Sequence, residues 1–160
     1  MDVVAEPLTA AAFALYGDVI EIGRSEPRLI NDGRCRRYHD LARLDFDLGG
    51  RAGVSLFHSD AVDLPYTCRL MERHPLGSQA FLPMSEAPFL VIVADDDTGA
   101  PVEPRAFLSA PGQGVNYHRN IWHGVLTPLG TPQTFTVVDW IGKAANLEEH
   151  HFEKPFTVTA

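Results

Sequence analysis

Apolar residues in this chain come in short runs separated by turn-forming residues. Val54–His58, Tyr66–Arg73, Gln79–Pro83, Phe89–Ala94, Arg105–Ser109, Val115–His118 and Thr134–Trp140 each read as a strand. Pro, Gly, Asp or Ser fill the gaps between them. Many short strands of this kind predict an all-β sandwich or barrel. Twelve prolines and thirteen glycines can supply the corners. Nothing alternates strand with helix, so a parallel α/β sheet is not expected. One helix is predicted near the start, from Thr9 to Tyr16, with Thr9 as its cap and Gly17 ending it in the left-handed conformation. A strand follows over Asp18–Ile22, then a turn at Asn31-Asp-Gly33, the polar segment Arg34–Asp40 and a second turn at Asp45–Gly50. Residues 1–160 read as a single domain, without repeat or linker.

Phe89-Leu-Val-Ile-Val-Ala94 is apolar at every position. Such a strand is either buried centrally or lies against another subunit. The turn Asp95-Asp-Asp-Thr-Gly lacks the ligand spacing of a calcium loop. The segment from Asn146 carries Glu148, Glu149, His150 and His151, and reads as solvated surface.

The chain carries a net charge of −8 and a pI near 5.2. Binding to nucleic acid is therefore not expected, because it needs clustered Lys and Arg. Cys35 and Cys68 form no CxxC pair, and a reduced pair is the expectation. The start of the sequence lacks the basic and apolar regions of a signal peptide, and no apolar run is long enough to span a bilayer. A cytoplasmic location without membrane association is the expectation.

Two stretches concentrate side chains capable of chemistry, Glu72–Pro83 and Gly112–His123. Counting by twos along Tyr66–Arg73 puts Tyr66, Cys68, Leu70 and Glu72 on one face. A carboxylate ending an apolar row is costly unless partnered, and burial raises its pKa. His74 and Gln79 continue toward the same end, so the three could converge at one end of a barrel. In the second stretch the parity of Asn116 and His118 allows both to turn inward. Tyr117 and Trp122 read as wall or core, and His123 as a secondary candidate.

Glu72-x-His74-x4-Gln79 resembles the first motif of the cupin superfamily, which usually reads His-x-His-x3,4-Glu. Pro111 through Gly114 to His118 resembles the second. That resemblance implies a jelly-roll β-barrel in which Glu72, His74, Gln79 and His118 face inward and could hold a divalent metal such as Ni²⁺ or Mn²⁺. A metal-free polar pocket is the equal alternative.

A closer resemblance covers more of the chain. Glu72–Met84 and Gly114–His123 resemble the two signature stretches of the ureidoglycolate lyase family, as do Phe13–Ile20, Ile30–Gly33, Arg37–Ala42 and Arg105–Phe107. Gly124 stands where the family pattern leads one to expect a second histidine. The resemblance implies a cupin-like barrel, usually homodimeric, that splits (S)-ureidoglycolate into glyoxylate and urea during allantoin breakdown, with nickel dependence associated with the family. Such a reaction needs a base for the hydroxyl proton and an acid for the departing nitrogen. On this reading His118 is the base, with His74 and Glu72 on the acid side and Gln79 beside them. Arg119 and Arg37 are candidates to bind the substrate carboxylate, with Asn31, Tyr38 and Asn116 as neutral donors and His123 as a further contact. The alternatives are an amidohydrolase releasing ammonia from the same substrate and a non-catalytic ureide- or keto-acid-binding cupin.

Overall fold

The computed structural model describes residues 2–160. In chain order its strands are β1 (Asp2–Val4), β2 (Glu6–Pro7), β3 (Gly17–Ile20), β4 (Arg28–Ile30), β5 (Cys35–Arg37), β6 (Gly50–Ser59), β7 (Tyr66–Arg73), β8 (Gln79–Pro83), β9 (Phe89–Asp97), β10 (Ala100–Leu108), β11 (Gly114–Tyr117), β12 (Trp122–Gly124), β13 (Thr127–Pro128), β14 (Gln133–Gly142) and β15 (Glu148–Thr159). The helix α1 spans Ala10–Phe13. The expected all-β, barrel-like architecture is present.

The larger sheet runs β1-β15-β7-β12-β9-β10-β2, with β13 beside β9, and the smaller runs β3-β11-β8-β14-β6. β4 and β5 form a hairpin apart from both. β1 and β2 are successive parts of one extended segment. That segment pairs in parallel with β15, Val4 opposite Thr159, and then with β10, Glu6 opposite Phe107. The larger sheet thereby curls round until its edges meet across the N-terminal segment.

Two cores result. The first lies between the sheets and holds Phe13, Val19, Phe81, Phe89, Val91, Val93, Phe107, Val115, Tyr117, Phe135 and Val137. The second lies inside the curl of the larger sheet and holds Cys68, Met71, Leu90, Ile92, Ala94, Ala106, Trp122, Phe156 and Val158. β9 explains its own composition here. Odd-numbered residues from Phe89 fill the first core and even-numbered ones from Leu90 fill the second. Both faces are covered within this chain, which decides between the two readings of that strand.

Several local expectations are corrected. The helix is shorter than predicted. Thr9 caps it as expected, its Oγ1 accepting from the Ala12 N–H at 3.2 Å. The helix ends at Ala14 in a right-handed conformation. Gly17 is therefore no C-cap. It opens β3, where a Cβ would sit 2.0 Å from the Asn116 carbonyl oxygen. Close strand approach, not turn geometry, demands glycine there. The polar segment after Asn31 is part of the β4–β5 hairpin, whose turn carries positive φ at Asn31, Asp32 and Gly33. β9 runs on through Asp97, leaving Thr98-Gly99 as the turn into β10.

The alternation counted along β7 also breaks. Cys68 and Met71, three apart, both fill the second core. The partner strand is the cause. His151 lies opposite Leu70, but Phe156 lies opposite Cys68, so β15 bulges between them. Met71 takes the core position, and Glu72 turns to the other face.

Both cysteines are free. Cys68 is buried, and burial pushes its thiol up to about 11. Native protein at pH 8 should therefore release one equivalent of chromophore from a disulfide reagent, through Cys35, and a second only on unfolding. Rapid release of two equivalents from native protein would contradict the packing around Cys68.

Candidate active site

Four strand ends meet at one end of the space between the sheets. β7 ends after Glu72, β8 begins at Gln79, β11 ends at Tyr117 and β12 begins at Trp122. β12 lies between β7 and β9, and its register sets His123 opposite both Glu72 and Val93. Trp122 and Gly124 face the second core, so His123 faces the first. Tyr117 stacks flat on His123, with ring centres 4.2 Å apart and planes 7° apart. His74 closes the group from the segment after β7, its ring 5.3 Å from that of His123.

Glu72, His74 and His123 each bring one ligand atom to within 4.8 Å of the others. His74 Nε2 lies 3.9 Å from Glu72 Oε1. Hydrogen bonds orient both imidazoles. His74 Nδ1 contacts the Asn146 carbonyl oxygen at 2.7 Å, and His123 Nδ1 contacts the Gly124 carbonyl oxygen at 3.0 Å. A carbonyl oxygen only accepts, so each Nδ1 carries a proton, and a ring that is neutral then presents its lone pair at Nε2. Both Nε2 atoms are buried without a hydrogen-bond partner.

For His123 the electrostatics favour the neutral ring. Burial, aided by nearby His74, pushes His123 down to about 3, so its ring is neutral at ordinary pH. Burial raises the Glu72 carboxyl; His74 opposes that rise and Glu149, its partner across the strands, adds to it. Burial, with Glu72 close by, also raises the Tyr117 phenol. The cluster is thus largely shielded from solvent and rich in acceptor lone pairs, with the His74 and Glu72 side chains 15% and 21% exposed.

Gln79 lies on the same inner face, opposite Tyr117 in the ladder. Its Nε2 donates to Asp139 Oδ2 at 3.2 Å. Gln79 Oε1 and Asp139 Oδ1 are both buried and unpartnered. Asp139 was missed in the sequence reading. Like Glu72 it is a carboxylate at the end of an apolar row, here the inward row Phe135, Val137.

His118 and Asn116 do not join this group, against expectation. Val115 and Tyr117 fill the first core, so alternation turns Asn116 and His118 together to the outer face of the smaller sheet. There Asp18 Oδ2 accepts from Asn116 Nδ2 at 2.9 Å and the Arg43 N–H at 2.9 Å, and lies 3.0 Å from His118 Nε2. His123 takes the place expected for His118 in the cluster. Arg119 is held by Asp45 through contacts of 2.9 and 2.8 Å, so it is not a free carboxylate clamp. His118, Arg119, Arg43 and Asp45 line an open cleft on this outer rim. Asn31, Arg37 and Tyr38 belong to the separate hairpin and its exit; Asn31 and Arg37 are exposed. Among the described residues no hydrogen bond or ion pair joins these three to Glu72, His74 or His123. Gly124 faces away from the site, where a Cβ would meet Ile92 at 3.1 Å. A histidine there would enter the second core.

The model of the family described as ureidoglycolate lyase matches residues 1–159. The chain belongs to the ureidoglycolate lyase family. It is 60% identical over 153 residues to a protein of Rhodobacter capsulatus named ureidoglycolate lyase, covering 96% of this chain and 95% of that one. A Chelativorans protein of the same name is 52% identical over 159 residues, covering 98% and 95%. One from Rhizobium meliloti, named ureidoglycolate lyase 2, is 52% identical over 153 residues, covering 95% and 94%. The family match runs through the tail, to residue 159.

Asp18 generates a prediction about the outer face. Burial would raise its carboxyl, but hydrogen bonds from Asn116, Arg43 and His118 outweigh that and hold it below the usual range. A depressed folded pKa contributes stability that is present above the unfolded value, ~3.9, and lost as pH falls through the folded one. The urea midpoint of Asp18→Asn should therefore lie below that of the parent at pH 7, with the gap narrowing toward pH 3. A gap that does not change with pH would assign the effect to packing.

Proposed function

We propose that this protein cleaves ureidoglycolate into glyoxylate and urea, and that the cluster at Glu72, His74 and His123 carries the chemistry. The observation behind this is the pair of buried Nε2 lone pairs facing a carboxyl whose pKa is raised. Ureidoglycolate holds a hydroxyl and a urea nitrogen on one carbon. Cleavage removes the hydroxyl proton, forms the C=O bond, breaks the C–N bond and puts a proton on the departing nitrogen. His74 Nε2 takes the hydroxyl proton, and the protonated Glu72 carboxyl gives one to nitrogen. His74 Nε2 and Glu72 Oε1 lie 3.9 Å apart, so once the products leave the proton returns from His74 to Glu72 through one bridging water, restoring the starting state. His123, kept neutral and stacked on Tyr117, accepts a substrate donor and excludes water. No covalent nucleophile is needed.

The same donors favour a second form of this reading. Two imidazole lone pairs and a carboxylate within 4.8 Å suit a divalent cation such as Ni²⁺. Glu72, His74 and His123 would hold it, and each histidine already has the carbonyl partner that metal-bound imidazoles favour. A cation there would supply Lewis-acid polarisation of a substrate oxygen. The buried Asp139 Oδ1, steadied by Gln79, is then the free acceptor on the same inner face.

We read the barrel as cupin-like and the setting as cytoplasmic allantoin breakdown. No helix among the described residues is long and apolar enough to cross a membrane. The net charge of −8 supports a small-molecule substrate over nucleic acid. A homodimer is part of this reading; the exposed Val54 and Leu56 of β6 give an apolar strip that self-association would cover.

Incubation with racemic ureidoglycolate should yield urea and glyoxylate in equal amounts, with half the substrate left. Ammonia in place of urea would indicate the amidohydrolase, and thermal stabilisation without turnover a binder. Chelator-sensitive activity restored by Ni²⁺ selects the metal form, and insensitivity selects direct proton transfer. Glu72→Gln and His123→Ala should each lower kcat/KM by ~10²–10⁴-fold. His118→Ala, on the outer face, should stay within about tenfold, which by itself is ~1.4 kcal/mol of transition-state stabilisation. Loss of all turnover in His118→Ala would return that residue to the site.

A further inference from the structure

Residues 143–147 connect β14 to β15 and reach the site at Asn146. Lys143, Ala144, Ala145 and Leu147 are exposed, and Asn146 alone is half-buried. Asn146 makes two contacts at once. Its carbonyl oxygen accepts from His74 Nδ1 at 2.7 Å, and its side-chain Oδ1 accepts from the Leu76 N–H at 2.7 Å. His74 and Leu76 flank Pro75 on the turn that carries His74 into the cluster. Leu76 is held from its other side too, its carbonyl accepting from the Asp47 N–H at 2.8 Å.

We infer that Asn146 is a positioning residue for His74: its side chain pins the connection to Leu76, and its carbonyl thereby fixes the His74 proton on Nδ1 and the lone pair on Nε2. The inference rests on the reading of the Glu72–His74–His123 cluster as the reactive site. The side-chain bond is the part that sequence can remove. Without it the connection keeps its ladder pairing of Glu148 with Arg73, and the imidazole bond is the one hydrogen bond left between residues 143–147 and the turn among the described residues. His74 could then rotate or exchange tautomers, and Nε2 would no longer face Glu72 as a lone pair. The same connection leads directly into Glu148 and Glu149, and Glu149 lies opposite Glu72. The segment thus adjusts the site from both sides, which gives the polar tail a role.

The test uses the full chain with ¹⁵N-labelled histidine. His74 signals are assigned by their loss in His74→Gln. In the parent, His74 should show a protonated Nδ1 and an acceptor Nε2. Asn146→Ala should give a mixed or reversed pattern, whereas Asn146→Asp, which keeps an acceptor for the Leu76 N–H, should restore the parent pattern. Ni²⁺ titration supplies a second readout, with affinity expected to fall ~10–100-fold in Asn146→Ala. An unchanged tautomer pattern in Asn146→Ala would overturn the inference, including where the melting temperature falls, since that outcome describes a purely structural residue. The tautomer readout needs neither substrate nor metal. Failure to split ureidoglycolate would therefore count against the proposed function and leave the positioning role standing.

Discussion

The placement of β12 between β7 and β9 is the constraint on which the site depends. That strand is three residues long, and each residue is committed. Trp122 and Gly124 face one core, and His123 faces the other. An imidazole placed so deep must stay neutral and must satisfy its N–H, and the Gly124 carbonyl does this at 3.0 Å. The lone pair on its other nitrogen has no partner and is directed toward Glu72 and His74. Leaving such an atom unpaired is unfavourable for folding. Its retention in a buried, desolvated setting is what marks the cluster as a place for a ligand.

The smaller sheet separates two polar groups that the sequence places side by side. Residues 115–118 alternate strictly, so Tyr117 supports His123 within while Asn116 and His118 serve Asp18 outside. The outer group leaves one buried acceptor, Asn116 Oδ1, unpaired and is otherwise satisfied. Asp18 draws three donors to one oxygen, and Arg119 is absorbed by Asp45. The inner group is the reverse, with acceptors in excess of donors. This asymmetry, more than proximity to a cleft, distinguishes a site that can take up a cation or a substrate proton from one that ties loops to the barrel.

Much of the fold was legible in the chain. The apolar run at Phe89–Ala94 announced two-sided burial, and the turn residues marked most strand ends. Glu72 stood out because a carboxylate closed an apolar row. The particular row was miscounted, since the bulge in β15 shifts β7 by one position between Cys68 and Met71. A bulge lies in the partner strand and leaves no mark on the strand it displaces. His123 was ranked below His118 because β12 is too short for its alternation to register, and only the register with Glu72 turns it inward. Gly17 looked like a helix stop because close approach to Asn116 is a tertiary fact. The strand β15 was hidden by its charged start, whereas Phe156 and Val158 reach the second core from its far half.

The closing of the larger sheet has a consequence for how the molecule assembles. Val4 pairs with Thr159 and Glu6 with Phe107, so one short segment joins strands distant in the chain. Contacts of such separation carry the loop-closure entropy of nearly the whole polymer before they return any favourable energy. β9 and β10, joined by a tight turn, can form early and cheaply. The N-terminal segment can settle only once both β10 and β15 stand ready to receive it, which makes it a seam closed late in folding and the first to open under strain.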